Sequence, residues 1–207
     1  MKRPVMLAGI GLVWGALIAF GTQVLLRYES SPGMPGTPPS RWPLVSILVR
    51  PSDKFTLVVL THPDCPCTRA SLAELETLMA QAQGKLVAFI LFSKPGASAA
   101  EVRSSDLWKK AAIIPGVSTL YDNHGVATGQ FGGHVSGQTM LYDPEGKLVF
   151  SGGLTSGRGR QGYSAGADAV LKKVNGGPRA PVSTPVFGCA LHDPGALALK
   201  EDPLWEQ

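Results

Sequence analysis

Hydrophobic and polar positions divide this chain into an apolar leader, a proline-rich stretch, a patterned body and an unpatterned tail. Lys2 and Arg3 precede an uncharged run from Pro4 to Leu26, which Arg27 closes. As a helix that run spans about 34 Å, enough for a bilayer core of about 30 Å. Gly9, Gly11, Gly15 and Gly21 are tolerated in a membrane helix. The charge asymmetry predicts a cytoplasmic N-terminus and an exported remainder. A cleaved signal peptide is the rival, with Ala19-Phe20-Gly21 as its site. The run exceeds a usual signal core and lacks a polar segment before Gly21, so an uncleaved anchor over residues 1–27 is expected.

Residues 28–40 carry prolines and glycines in place of any period, which predicts a semi-rigid linker. The body is expected over 41–175. Leu44 to Val49 and Phe55 to Leu60 read as strands, joined by a turn at Pro51-Ser52-Asp53. Leu72, Leu75, Leu78, Met79 and Ala82 recur at helical spacing from a start near Cys65, and Gly84 ends that helix. Lys85 to Phe92 is almost continuously apolar, the mark of a central strand buried on both faces. Ser104-Ser105-Asp106 caps a short helix through Ile113, and Val117 to Tyr121 is a strand. A turn of helix is expected between Gly125 and Phe131. Thr139 to Tyr142 and Lys147 to Phe150 form a hairpin across Asp143-Pro144-Glu145-Gly146, and a last helix runs from Ser164 to Val174. This order predicts an α/β domain with a mixed central sheet flanked by helices. The tail, 176–207, is proline-rich and has no clear period.

Charge adds little to this picture. The formal net charge is +4, with Lys and Arg scattered and no interleaved aromatics. That describes a solvated surface and argues against a nucleic-acid partner. Gly152, Gly153, Gly157 and Gly159 make a glycine-rich loop, but no Gly-Lys-Ser/Thr follows, so it reads as a flexible connection.

The chemistry concentrates in His62-Pro63-Asp64-Cys65-Pro66-Cys67-Thr68-Arg69, between a strand and a helix. Cys65 falls at the N-cap, with Pro66 at the favoured first helical position. The helix N-terminus, with its unpaired N–H groups, favours a thiolate. Arg69 adds to this, and Asp64 opposes it if it faces the sulfur. A static Cys-x-Cys disulfide closes a strained ring, so redox or metal chemistry is expected. The third cysteine, Cys189, makes the count odd. In an exported protein that implies a free thiol, beside a fixed disulfide that pins the tail or as an unpaired Cys189, an intermolecular bond, or a redox cycle.

These motifs resemble the thioredoxin-like superfamily, especially its membrane-anchored TlpA-like and RedB-like exported members. The resemblance spans Leu44 to Val174 and includes Gly137-Gln-Thr-Met-Leu-Tyr-Asp-Pro-Glu-Gly146. It implies a thiol–disulfide oxidoreductase with protein thiols or disulfides as partners and no cofactor. Cys65 matches the attacking cysteine. Thr68 stands where the second cysteine is usual, with Cys67 one place early. Gly137 stands where the superfamily has a cis-proline that presents substrate and discourages metal. Thr184-Pro-Val-Phe-Gly-Cys189 is similar to short tails on RedB-like proteins, so a folded-back tail would let Cys189 resolve a bond on Cys65 or Cys67. A peroxidase variant would place Thr or Ser where His62 stands.

His62 and His134 are expected either to tune the thiolate or to be ordinary strand-end and loop residues; His124 and His192 read as surface residues. With Cys65 and Cys67, the first two would form a soft set suited to copper, the alternative function. The resemblance also implies a single-pass membrane protein whose C-terminal domain is periplasmic or otherwise extracytoplasmic.

Overall fold

The computed structural model describes residues 2–177 and 180–191. The chain divides into two compact units, 1–31 and 32–207. The first is a helix, α1 (Lys2–Ser30). Its apolar side chains are exposed, and it is long and apolar enough to cross a membrane. A membrane anchor and a signal sequence share those properties.

The second unit is built on a five-stranded sheet in the order β3-β2-β1-β4-β5. The strands are β1 (Phe55–Thr61), β2 (Leu86–Phe92), β3 (Val117–Tyr121), β4 (Thr139–Tyr142) and β5 (Leu148–Gly152). The first three are mutually parallel, and β4 and β5 are antiparallel. The helices are α2 (Pro66–Gln81), α3 (Ala99–Ser104), α4 (Asp106–Ala112), α5 (Val126–Gln130) and α6 (Ala165–Val174).

The two-residue alternation of β1 feeds two cores. Leu57 and Val59 join Leu72, Leu75, Leu78, Ala111 and Val170 on the face covered by α2, α4 and α6. Val58 and Leu60 join Phe131, Met140 and Tyr142 on the other face. Each fully buried side chain of this kind contributes roughly 1.5–3 kcal/mol relative to exposure. Trp42 closes the second core edge-on to Phe131 and Tyr142, with centroids 5.0 and 5.2 Å away.

The expected sheet, hairpin and main helices are present, with three corrections. Leu44 to Val49 is not a strand. Leu44, Val45, Ile47 and Val49 are exposed, and Leu48 alone is buried, in the second core. A helix that the pattern did not announce, α3, starts where Ser98 Oγ accepts from Glu101 N–H. Residues 33–40 are not a free linker. Gly33 N–H donates to Val186 O, Gly36 N–H donates to Gln138 Oε1, and Tyr142 Oη donates to Pro39 O. Gly36 and Gly132 approach so closely that a side chain on either would strike the other strand's backbone.

The tail, as far as Leu191, is part of the same body. Val186, Phe187 and Leu191 are buried, and Ser183 bridges Ser151 of β5. His192 and the rest of the tail lie outside the described residues.

Candidate functional site at the β1–α2 turn

The end of β1, the start of α2, the loop before β4 and the tail meet at one point. Cys65 is the N-cap of α2 in extended conformation, its side chain free of capping duty, and Pro66 opens the helix. The proline costs no hydrogen bond at that position. Cys65 and Cys67 are both buried, whereas Cys189 is exposed.

Cys189 Sγ lies 3.5 Å from Cys65 Sγ. The Cys67 thiol and the backbone amides of Thr68 and Cys189 also lie close enough to the Cys65 sulfur to favour its charged form. The Cys67 hydrogen bond is the largest influence, and together the donors outweigh burial and hold the Cys65 pKa down to about 4. Cys67 moves the other way, because its proton is held by the Cys65 sulfur and because it is buried. Cys189 also moves up, first through desolvation and then through its bond to Cys65. Negative charge is therefore favoured on Cys65 and disfavoured on its two neighbouring thiols.

A polar scaffold fixes the turn. Thr68 Oγ1 donates to His62 O at 3.0 Å and lies 3.0 Å from Ser136 Oγ, which in turn accepts from His62 N–H. The hydroxyl at the superfamily's second-cysteine position thus ties β1 to the loop before β4. Asp64 is paired with Lys94 at 3.0 Å, and Lys94 also holds Glu101.

The other expected residues fall as follows. Arg69 is exposed and lines an open groove of 540 Å³ with Pro63, Asp64, Cys65, Pro66 and Leu107. His134 is exposed, and its carbonyl accepts from Leu191 N–H of the tail. Arg69 and His134, expected as tuning groups, are not among the donors acting on Cys65. Gly137 has a trans peptide and φ of +87°, and its N–H donates to Leu60 O, a bond proline could not make. It faces Phe187 O of the tail and Ser71 Oγ of α2.

One member of the alternative copper set is already hydrogen-bonded. His62 Nδ1 already accepts from Asp64 N–H at 3.1 Å. Among the described residues, no group of three or more His, Cys, Asp and Glu side chains stands ready to hold a metal ion.

Two contributors came from the glycine-rich loop, which had read as a plain connection. The Gly159 backbone lies close enough to Cys67 to pull its pKa down, against the larger upward shifts from Cys65 and burial. Arg158 Nη1 donates to Gly188 O at 2.7 Å and lies close enough to favour the Cys189 thiolate. No local period marks either residue; Gly159 meets a cysteine of α2 and Arg158 a tail thirty positions away.

This sheet order, with its cysteines at the β1–α2 turn, defines a thioredoxin-like fold. No protein-family model matches the sequence, and no curated protein does. Among solved structures, a hypothetical protein of Sinorhizobium meliloti 1021 is similar, with 17% identity and a TM-score of 0.55 over 79% of this chain and 96% of that one. An uncharacterized conserved protein of Geobacillus kaustophilus is similar over 80% of this chain and 94% of that one, at 17% identity and TM-score 0.54. The exposed lipoprotein thioredoxin Etrx1 of Streptococcus pneumoniae TIGR4 matches at 20% identity and TM-score 0.46, over 60% of this chain and 86% of that one. At these identities the likeness concerns the fold alone.

Proposed function

We propose that this chain is a membrane-anchored, TlpA-like or RedB-like thioredoxin-fold protein that carries out thiol–disulfide exchange outside the cytoplasm. The observation that carries the proposal is the 3.5 Å separation of Cys189 Sγ from Cys65 Sγ at the start of α2, where the Cys65 pKa is held down and that of Cys189 is pushed up.

The chemistry balances in two displacements. The Cys65 thiolate attacks one sulfur of a partner disulfide, forming a mixed disulfide and expelling a partner thiolate. Cys189 then passes its proton to a leaving thiolate and attacks Cys65 Sγ, releasing the second partner thiol. The partner gains two electrons, and Cys65 and Cys189 become a disulfide. Run backwards, the same steps oxidise a partner dithiol. Closing the bond needs a sulfur movement of about 1.5 Å from the present separation. Cys67 serves as the donor that holds the Cys65 thiolate and is the competing resolver.

Mass spectrometry of the full chain in detergent, alkylated after equilibration in glutathione buffers of graded potential, tests this. A reversible bond between Cys65 and Cys189 is expected. Thiols that stay reduced at every potential overturn the reading. Copper handling through Cys65, Cys67 and a histidine is the second reading. It rests on the softness of the thiolates and requires His62 to leave its bond with Asp64 N–H. Stoichiometric copper on the same sample, lost in Cys67→Ser, would move the assignment there.

A further inference from the structure

The tail reaches Cys65 as a strand, and the thiol is only one of its contacts. Ser136 N–H donates to Cys189 O at 2.8 Å, and Leu191 N–H donates to His134 O at 2.9 Å. These two bonds flank an antiparallel bridge between Val135 and Ala190. In that pattern the N–H and C=O of Ala190 point away from the edge. Cys189 meanwhile brings both its thiol and its backbone N–H onto the Cys65 sulfur. Gly188 passes so close to Ser136 O that any side chain there would collide with it.

The tail therefore covers what it touches. Cys65 is only 3% exposed, although it borders an open groove. Cys189, in contact with the Cys65 sulfur, stands in the way of a bulky incoming disulfide. Along this edge the tail is held by two backbone bonds and the bond from Arg158 to Gly188 O, while Val186, Phe187 and Leu191 are buried beside it and must come away with it. An extended peptide with a cysteine at the same position would satisfy the same edge.

We propose that residues 183–191 are a tethered competitor, holding strand against strand the His134–Ser136 edge that an extended, cysteine-bearing protein segment must take to reach Cys65. Substrate entry and tail release are then one exchange, and the tail's return with Cys189 ends the cycle. This rests on the thiol-exchange reading above and adds to it a substrate class and a built-in gate.

The test uses the full chain in detergent and two probes. One is a nine-residue peptide of the sequence 183–191, Ser-Thr-Pro-Val-Phe-Gly-Cys-Ala-Leu, with its cysteine activated as a 2-thiopyridyl disulfide. The other is the small disulfide bis(2-hydroxyethyl) disulfide. Gly188→Ala pushes the tail off Ser136, so the ratio of peptide rate to small-disulfide rate should rise by roughly tenfold or more. N-methylation of the peptide's Leu, which removes the N–H that His134 O accepts, should cancel that gain. N-methylation of its Ala should not. Should Gly188→Ala lose its cooperative melt, Arg158→Ala must raise the same ratio by about threefold or more. An unchanged ratio, or equal effects of the two methyl groups, overturns the proposal and leaves thiol exchange standing. No reaction of Cys65 with either probe overturns both.

Discussion

Cys189 Sγ lies 3.5 Å from Cys65 Sγ, although 124 positions separate the two residues. The contact assigns them different fates on substitution. Cys65→Ser should abolish mixed disulfides with partner proteins. Cys189→Ser should make them accumulate, because the resolving thiol is gone while the nucleophile remains. Thiol trapping followed by non-reducing electrophoresis checks both. Equal trapping in the wild type and Cys189→Ser would assign resolution to Cys67.

The second prediction concerns orientation. Lys2 and Arg3 flank the leading end of an apolar helix, and all three cysteines lie beyond it. The positive-inside rule puts the cysteines outside the cytoplasm. In reduced spheroplasts of an expressing bacterium at mildly alkaline pH, a membrane-impermeant maleimide should label the exposed Cys189 without lysis. Labelling only after lysis would reverse the orientation. Carbonate extraction should leave the protein with the membranes; release would point to a cleaved leader.

A third prediction tests how the second core is closed. Phe131 is fully buried and edge-on to Trp42, so Phe131→Ala should cost about 3–5 kcal/mol. Trp42 is only half-buried, and Trp42→Ala should cost about 2 kcal/mol. Urea denaturation of the full chain in detergent measures both. If Trp42→Ala has no effect, the segment before β1 is not part of the folded body.

That segment shows where the sequence was legible and where it was not. β1, β2, α2 and the β4–β5 hairpin follow from local patterns: an apolar run, a helical period with Pro66 at its start, a turn at Asp143–Gly146. Leu44 to Val49 has the composition of a strand, yet it pairs with no strand of the sheet and turns four apolar side chains outward. Composition does not count available partners. Helix α3 escaped notice because it is short and owes its start to one serine, Ser98. At the site, Cys65 and its N-cap position were readable from Cys-Pro-Cys alone. The tail's docking was open to resemblance but not to periodicity, since it depends on glycine contacts such as Gly188 against Ser136 and Gly153 against Pro185. Glycines of that kind look like flexible chain until the opposing backbone is known.

The last prediction is a pH profile. The Cys65 pKa is held down to about 4, chiefly by the Cys67 thiol, while Cys67 and Cys189 are pushed up. Alkylation follows the thiolate fraction. Cys65 should therefore react with iodoacetamide at a steady rate from about pH 8 to about 5.5, then lose reactivity as the pH falls through 4 and the sulfur gains its proton. Cys67 and Cys189 should react only as the solution becomes alkaline. In Cys67→Ala the strongest donor is gone, but Thr68 N–H and the two Cys189 contacts remain. The Cys65 midpoint should then rise, to settle between about 4 and the ordinary thiol value of about 8.5. Residue-resolved alkylation rates across this range, read by mass spectrometry, give all three profiles at once. A Cys65 midpoint that stays in place in Cys67→Ala would show that the helix N-terminus, rather than the neighbouring thiol, holds the charge.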